Sequence, residues 1–430
     1  MGGTFFWVLV FFVVYCARPE DWIPGVAHLR PAMLVGVAAV VAFGLNVGRL
    51  ERGLPKETLL LVLLIVQMGL ASLFSPVWKG GAFTTTLGFA KVVLIIVVMA
   101  MAVTSLARLR KLIFVQSACV AVIAIISLKE SHLANGRLEG GLNGIYQNPN
   151  DLAIAMVLTL PFCLVFLFRG SGGVRKAGWA LASLLMAYTV FRTGSRAGLI
   201  ALVIMGALCL WEFGVKEGRS YLLVVAVLAL AIMFVFAGRE VIQRFSNTSQ
   251  YEGNEAAYQS AQQRRQLLIK SLRVTLEHPL FGIGPGNFPI YSGVWRETHN
   301  VYTEFSAEGG IPALVLFLMI YWCAFKNIRE VKERSPAQSE TAMLANAARA
   351  GLAAFALVAF FYPDAYEFFL YFAFAYTTAL RQIVLRGEPL EAPPVDPAKE
   401  RKAANWVAAP ASTGRNALPV NLQGSTSLGN

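Results

Sequence analysis

The sequence predicts an all-α polytopic membrane protein with about twelve transmembrane helices, and three observations support this fold class. First, 56% of the 430 residues are hydrophobic and only 14% are charged, and the mean hydropathy is +0.58. Second, apolar segments of roughly 17 to 25 residues, long enough to cross a bilayer, recur along the chain. Third, lysine and arginine collect in short clusters between these segments. A soluble domain does not combine these features.

The predicted spans form two sets of six. Those of the first half lie at about residues 4–17, 31–48, 57–74, 87–104, 111–128 and 150–168. Those of the second half lie at about residues 177–192, 196–213, 220–237, 311–325, 342–362 and 366–384. The seventh and eighth spans are joined only by the short connection FRTGSRAG, so these two segments could instead form a re-entrant pair. That alternative leaves the topology of the other spans unchanged.

The basic residues predict which connections face the cytoplasm. They occupy every second connection: Arg49, Arg52, Lys56; Arg108, Arg110, Lys111; Arg169, Arg175, Lys176; Lys216, Arg219; and Lys326, Arg329, Lys332, Arg334. The opposite connections are poorer in lysine and richer in Trp, Tyr, Pro and Asn, as is typical of an external interface. We therefore expect both termini to be cytoplasmic. The first apolar segment lacks the basic region and cleavage site of a secretory signal, which predicts a retained span.

The chain divides into four predicted regions. Residues 1–237 hold spans one to nine, and residues 311–386 hold spans ten to twelve. Between them, residues 238–310 form the longest polar interval, and a connection of this length within a tightly connected chain is usually functional. Residues 387–430 are rich in Pro, Ala, Asn, Ser and Gly, which predicts a disordered cytoplasmic tail.

Composition also argues against several function classes. The net charge of +12 is not accompanied by a basic stripe interleaved with aromatic residues, so nucleic acid is not an expected partner. The five cysteines lie in or beside apolar spans without a CxxC motif or a Cys/His cluster, so no metal or disulfide framework is expected. Lys91 and Glu212 are the main ionisable residues noted within the spans, and both can extend to an interface. A transporter would be expected to carry more charges near mid-membrane.

The segment EAAYQSAQQRRQLLIKSLRVTLEH, at 255–278, has the pattern of an amphipathic helix. At 100° per residue its apolar face holds Tyr258, Ala261, Leu268, Leu272 and Leu276. Arg265 falls among them, Arg264 lies at their border, and Lys270 and Gln263 point away. An arginine on a packing face needs a partner, and guanidinium groups bind phosphate bidentately. The alternative is an ordinary ion pair or contact with lipid headgroups.

A second arginine, Arg196, lies in GSRAG at the external end of the eighth predicted span. Its small neighbours allow a ligand or another backbone segment to approach closely. Two arginine sites on one side of the membrane make a diphosphate-binding pair a reasonable hypothesis. The alternative role for Arg196 is that of an interfacial anchor.

Further polar candidates surround these arginines. His299, in HNVYTEFSAEGG, is the best candidate for a general base, because an imidazole titrates near neutral pH. Asn287 ends the glycine turn PLFGIGPGNF, which is no dinucleotide-binding fingerprint because neither the preceding strand nor the acidic residue is present. Candidates for substrate binding or for support of the site are Asn287, Asn300, Glu308 and Asn148. In GLNGIYQNPND, Asn150 is the residue expected to cap the next span.

Four motifs in this order resemble the O-antigen ligase family, which is related to the O-antigen polymerases. They are NPND before a span, FRTGSRAG, the arginine segment leading into HPLFGIGPGNF, and HNVYTEFSAEGGIPALVLF, and together they extend over roughly residues 140–325. One position departs from the family pattern. An aromatic residue usually follows the key arginine by four positions, which selects Arg264, but residue 268 is Leu. Periodicity favours Arg265 slightly, so both arginines remain candidates.

The resemblance implies an inverting, metal-independent glycosyltransferase with a GT-C-type fold in the bacterial inner membrane and no cofactor. The implied donor is a glycan on undecaprenyl diphosphate, and the acceptor is lipid A-core or a similar molecule on the periplasmic face. Arg196 with Arg264 or Arg265 would bind the diphosphate, and His299 would activate the acceptor hydroxyl. Two alternatives within the superfamily are a polysaccharide polymerase and a protein O-oligosaccharyltransferase. A transporter for the same lipid-linked glycan is a less favoured alternative.

Overall fold

The computed structural model describes residues 2–23, 25–49, 53–134, 137–139, 142–246, 255–363 and 365–387. Its helices are α1 (Gly2–Ala17), α2 (Pro19–Trp22), α3 (Pro31–Gly44), α4 (Lys56–Leu73), α5 (Lys79–Ala102), α6 (Leu106–Glu130), α7 (Pro149–Arg169), α8 (Gly173–Arg192), α9 (Arg196–Cys209), α10 (Tyr221–Ser246), α11 (Glu255–Glu277), α12 (Phe288–Ser292), α13 (Val301–Arg334), α14 (Glu340–Val358) and α15 (Phe368–Leu385). The predicted tail at 387–430 lies outside the described residues, apart from residue 387.

Smaller elements connect the helices. A two-stranded antiparallel hairpin, β1 (His132–Ala134) and β2 (Arg137–Glu139), lies between α6 and α7. A π-helical segment, Leu210–Val215, continues α9. Turns of 3-10 helix lie at Ala27–Leu29, Val47–Arg49 and Gly144–Tyr146. The architecture is therefore that of a polytopic α-helical protein, as the apolar segments predicted.

Among the described residues, ten helical segments are long and apolar enough to cross a membrane. They are Gly2–Trp22, Ala27–Gly44, Lys56–Leu73, Lys79–Ala102, Leu106–Glu130, Pro149–Arg169, Arg196–Val215, Val301–Arg334, Glu340–Val358 and Phe368–Leu385. The other two predicted spans are helical as well. However, α8 carries basic residues at both ends, and the apolar part of α10 covers only Tyr221–Ile232. Ten of the twelve predicted spans therefore meet the requirements of length and hydropathy.

The polar interval between the ninth and tenth predicted spans contains more helix than its composition suggests. Helix α10 continues to Ser246, and α13 begins at Val301, ten residues before the predicted span. A kink at Gly310, with φ 80° and ψ 171°, divides α13 into an initial segment and a long apolar segment. A Cβ atom at this position would meet the carbonyl oxygen of Leu280. Glycine is therefore required for the close contact between the kink and the preceding loop.

The core of the bundle is rich in aromatic side chains. Phe12 of α1 packs on Phe372 of α15, with ring centroids 4.3 Å apart, and Phe162 of α7 meets Tyr376 at 5.6 Å. These four rings are buried, whereas large apolar side chains such as Val203 are 65% exposed along the outer helix faces. Such exposed apolar faces are expected of helices in contact with lipid.

The two ionisable residues noted within the spans occupy different environments. Lys91 is exposed, which is consistent with extension to an interface. Glu212 is 5% exposed and forms ion pairs with Lys216, Lys332 and Arg349. Lys216 and Lys332 are partly exposed at this end of the bundle, so the extension of Glu212 to an interface stays a prediction. Arg349, inside α14, is a further intramembrane charge that the hydropathy pattern did not reveal.

Candidate functional site

The glycine turn PLFGIGPGNF joins α11 to α12 and packs directly on the initial segment of α13. The N–H groups of Ile283 and Gly284 donate to the carbonyl oxygens of Ala307 and Glu308, each at 2.9 Å. Gly282 has φ 64°, and a Cβ there would lie 2.5 Å from the carbonyl oxygen of Ala307. The glycines thus permit a close backbone contact that fixes α11 relative to α13.

Glu308 and Asn287 hold this turn in place. The buried carboxylate of Glu308 accepts hydrogen bonds from the N–H groups of Gly286 at 2.8 Å and Phe288 at 3.1 Å. The hydroxyl of Tyr366 donates to the same carboxylate at 2.9 Å. The side chains of Glu308 and Asn287 are at most 2% exposed. The geometry therefore gives both residues supporting positions within the loop structure.

The side-chain amide of Asn287 links the turn to the connection between α4 and α5. Its Nδ2 donates to Ser75 Oγ at 2.9 Å, to the carbonyl oxygen of Trp78 at 3.1 Å and to that of Ile283 at 2.9 Å. A buried amide with several partners fixes the relative position of the segments that it joins.

His299 lies immediately before α13 in a constrained conformation. Its φ of 53° is in the left-handed region, which is uncommon for a residue other than glycine. The residues on either side hold it there, because Thr298 Oγ1 donates to the carbonyl oxygen of Asn300 at 3.0 Å. Asn300 caps α13, since its Oδ1 accepts from the N–H groups of Tyr302 at 2.9 Å and Thr303 at 3.1 Å. Backbone strain of this kind is often found at functional sites.

Positive charges surround the imidazole of His299. Its pKa is lowered from the usual 6.5 to about 4, chiefly by burial and further by the charges of Arg264 and Arg296. His299 also precedes the N-terminal end of α13, where the helix dipole disfavours a positive charge. His299 is therefore neutral at neutral pH, as a residue must be if it is to accept a proton.

Arg264 lies at the centre of a group of arginines. Although its side chain remains accessible to solvent, desolvation by the surrounding protein lowers its pKa. The charges of Arg196, Arg137 and Arg296 lower it further. These four arginines come from four separate parts of the sequence. We call them the arginine cluster. Together with His299 they form a strongly positive site at one end of the bundle, where an anion would bind.

The loop before α9 explains the position of Arg196. Ser195 caps α9 by accepting a hydrogen bond from the N–H of Gly198 at 3.1 Å, so Arg196 is the first helical residue. Gly198 packs on α7, and a Cβ there would lie 2.6 Å from the Cβ of Ala153. The small residues of GSRAG therefore permit close helix packing beside the arginine.

The hairpin between α6 and α7 contributes Arg137. Its Nη2 donates to Asn150 Oδ1 at 3.1 Å. The cap of α7 is Asn148, whose Oδ1 accepts from the N–H of Asn150 at 3.0 Å. The expectation that Asn150 is the cap is therefore wrong. Pro149 explains the difference. Proline favours the first position of a helix, so the residue before Pro149, which is Asn148, becomes the cap.

The packing face of α11 also differs from the prediction. Leu267, Ser271 and Val274 are at most 3% exposed, whereas Leu268, Leu272 and Leu276 are 36%, 48% and 79% exposed. The face toward α13 is partly polar, since Thr275 Oγ1 and Ser306 Oγ share a hydrogen bond of 2.8 Å. Lys270, expected to point away, donates to the carbonyl oxygen of Ser292 at 2.9 Å. The predicted packing face was wrong because it was chosen by hydrophobicity. The row of leucines that defined it, Leu268, Leu272 and Leu276, is exposed.

This orientation distinguishes the two adjacent arginines. Arg264 precedes Leu267 by three residues and Ser271 by seven, so it lies on the packing face and enters the arginine cluster. Both arginine side chains are exposed, but Arg265 is not among the charges that act on Arg264 or His299. The structure thus brings together Arg196, Arg264 and His299 of the candidates from the sequence.

Two members of the arginine cluster were missed from the sequence. Arg137 and Arg296 carry no motif of their own, and Arg137 lies in the short strand β2 between α6 and α7. A signal was nevertheless present, because Arg296 precedes His299 by three residues and Arg137 lies in the same connection as Asn148. Proximity to motifs already recognised would have identified both.

The comparisons with known proteins agree with the motifs. Residues 181–318 match the family model described as O-antigen ligase. No curated protein matches the chain. The matched range contains Arg196, Arg264, Arg296 and His299, and Arg137 lies outside it. The resemblance suggested by the sequence is thereby confirmed over this range.

Proposed function

Because residues 181–318 belong to the O-antigen ligase family, we propose that the chain is an inverting, metal-independent glycosyltransferase. It moves an O-antigen-like glycan from undecaprenyl diphosphate to a hydroxyl of lipid A-core or a similar acceptor. The single observation that carries this proposal is the position of Arg264, which is affected by the charge of Arg196 and whose own charge acts on His299. A group for anion binding and a candidate base thus occupy one site.

The arginine cluster matches the chemistry of the donor. A diphosphate offers several oxygen acceptors, and guanidinium groups bind such groups bidentately. Arg196 and Arg264 are the residues proposed to hold the two phosphates. Positive charge at this position would stabilise the negative charge that develops on the leaving diphosphate, which is the role assigned to a metal ion in other enzymes.

His299 is the proposed general base. The acceptor oxygen forms a bond to the anomeric carbon, and the bond from that carbon to the diphosphate oxygen breaks, with its electron pair leaving on the diphosphate. The acceptor proton passes to a ring nitrogen of His299. Attack from the side opposite the diphosphate inverts the anomeric configuration. Binding of the anionic donor would offset the nearby arginine charges and raise the pKa of His299, which improves it as a base at that moment.

The supporting residues fit the same mechanism. Asn300 and Glu308 fix the start of α13, and Asn287 fixes the turn before it, so His299 is held relative to Arg264. Asn148 caps α7 beside the contact between Arg137 and Asn150. Sites that act by positioning depend on supports of this kind.

The proposal includes a location. The basic connections predict that the arginine cluster lies on the periplasmic side of the bacterial inner membrane and that both termini are cytoplasmic. Undecaprenyl-linked glycans presented in the outer half of that membrane would then reach the cluster directly. The GT-C-type arrangement remains part of the proposal.

The test is glycan transfer by the purified protein in nanodiscs, with a lipid-diphosphate donor, a chelator and several acceptors. We expect transfer that persists in chelator and is abolished in His299→Ala and Arg196→Ala, whereas His278→Ala, a histidine outside the cluster, retains activity. Full activity of His299→Ala would refute the role as base.

The acceptor used identifies the subfamily. Transfer to lipid A-core supports the ligase, transfer to a second lipid-linked repeat unit supports a polymerase, and transfer to a serine or threonine peptide supports a protein O-oligosaccharyltransferase. Absence of transfer to all acceptors, together with flipping of the lipid-linked glycan in vesicles, would instead support a transporter.

A further inference from the structure

A second group of charges lies at the end of the bundle opposite His299. Helix α9 starts at Arg196 and α13 starts next to His299, and Glu212 and Lys332 lie near the other ends of these same helical segments. Glu212 is paired with Lys216 at 2.9 Å, with Lys332 at 3.5 Å and with Arg349. We call these four residues the Glu212 cluster.

The charges of the Glu212 cluster do not balance. One carboxylate faces three positive groups, which leaves two positive charges. The carboxylate is 4% exposed, whereas the side chains of Lys216, Lys332 and Arg349 are 47%, 28% and 30% exposed. The acidic residues next to the two lysines have other partners, because Glu217 accepts a hydrogen bond from Gln338 Nε2 and Glu333 pairs with Arg329. Half-buried positive groups without full compensation favour an additional anion.

The two lysines also have hydrogen-bond donors to spare. An ammonium group carries three N–H donors. Lys216 and Lys332 each donate one hydrogen bond to Glu212, and among the described residues neither donates another. A ligand with several acceptor oxygens could receive the remaining donors.

The surroundings indicate a lipid rather than a ligand dissolved in water. The carboxylate projects from the π-helical segment Leu210–Val215, a type of helix that often marks functional sites. On the same segment, Trp211 is 53% exposed and Val215 is 43% exposed. Tryptophan beside an apolar face is typical of the boundary between headgroups and acyl chains. Acyl chains could therefore lie along this segment while a headgroup reaches the lysines.

We propose that the Glu212 cluster binds the phosphate headgroup of an anionic membrane phospholipid, in the leaflet opposite the arginine cluster. Basic pockets between transmembrane helices are a known way of binding such headgroups. The phosphate oxygens accept hydrogen bonds from Lys216 and Lys332, and Arg349 stays paired with Glu212. The bound lipid would then connect the ends of α9 and α13.

The test compares lipid binding by two double variants of the full-length protein. Lys216→Gln/Lys332→Gln removes the two lysines and keeps the pair of Glu212 with Arg349. Lys326→Gln/Arg329→Gln removes two exposed positive charges from the same end of α13 and serves as the matched control. Delipidated protein in detergent is titrated with phosphatidylglycerol or cardiolipin, with phosphatidylcholine as the neutral lipid, and binding is followed by native mass spectrometry and thermal unfolding.

We expect anionic lipid to bind and to raise the Tm of wild type and control, and to bind at least fivefold more weakly to Lys216→Gln/Lys332→Gln. Equal weakening of both double variants would overturn the proposal, since binding would then reflect diffuse charge. An equal rise in Tm with inorganic phosphate would also overturn it, because the site would not require a lipid. If the double variant does not fold, the single variant Lys216→Gln, at the more exposed lysine, replaces it.

Discussion

The pKa of His299 should respond to occupation of the arginine cluster. In the structure this pKa is lowered from the usual 6.5 to about 4. The difference corresponds to about 3 kcal/mol that disfavours the protonated form. Burial is the largest cause, followed by Arg264 and then Arg296. An anion bound by the arginines offsets the charge contribution, so we expect pyrophosphate to raise the pKa.

The assay is an NMR titration of protein labelled at its four histidines. The His299 signal is identified by its loss in His299→Ala. Without ligand it should titrate near pH 4, and saturating pyrophosphate should move the midpoint upward. Arg264→Gln should also raise the midpoint in the absence of ligand, whereas Arg265→Gln should leave it unchanged. A midpoint near 6.5 in the free protein, or one that pyrophosphate does not move, would refute the proposed contact between the cluster and the imidazole.

Three further predictions concern activity and stability. Arg264→Gln should lower glycan transfer by about 100-fold, whereas Arg265→Gln should retain it, because only Arg264 joins the cluster; equal effects in a transfer assay would contradict this. Gly310→Ala should lower the Tm much more than Gly293→Ala, since both have positive φ but only Gly310 meets backbone atoms; equal shifts would argue against the contact. Between pH 6.5 and 4 the unfolded chain binds more protons at His299 than the folded chain does, so stability falls with falling pH. This loss of unfolding free energy, up to about 3 kcal/mol, should be smaller in His299→Gln than in the wild type. Identical pH profiles of unfolding for the two proteins would contradict the role of His299 in the loss.

Most of the fold could be predicted from hydropathy, because long apolar segments must be helical in a membrane. The start of α13 could not, since Val301 to Gly310 is too polar to resemble a span and is helical because of its cap and tertiary contacts. Arg349 was missed for a related reason. Its neighbours in the span are alanine and glycine, so one charge hardly changes the average, and its pairing with Glu212 is visible only in three dimensions.

The site was predicted in part. His299, Arg196 and the 264/265 pair lie in motifs, and local sequence was enough to select them. The choice of Arg264 required the packing of α11, where Ser271 and Thr275 face the protein and the leucine row does not. Arg137 could be identified only from the folded connection between α6 and α7, because that connection has no helical periodicity. Charge pairs between distant segments leave no trace in a single sequence.

The supports of His299 have a consequence for biogenesis. The N–H of Val301 donates to the carbonyl oxygen of Ala359 at 2.9 Å, and Glu308 accepts from Tyr366. Both partners lie beyond α13 and leave the ribosome after every arginine of the cluster. A nascent chain therefore acquires its charges first and the fixed imidazole only when its final helices are inserted. Under the proposed function, completion of synthesis would itself act as a safeguard, because the base is fixed only after the residues proposed to bind the donor have been made.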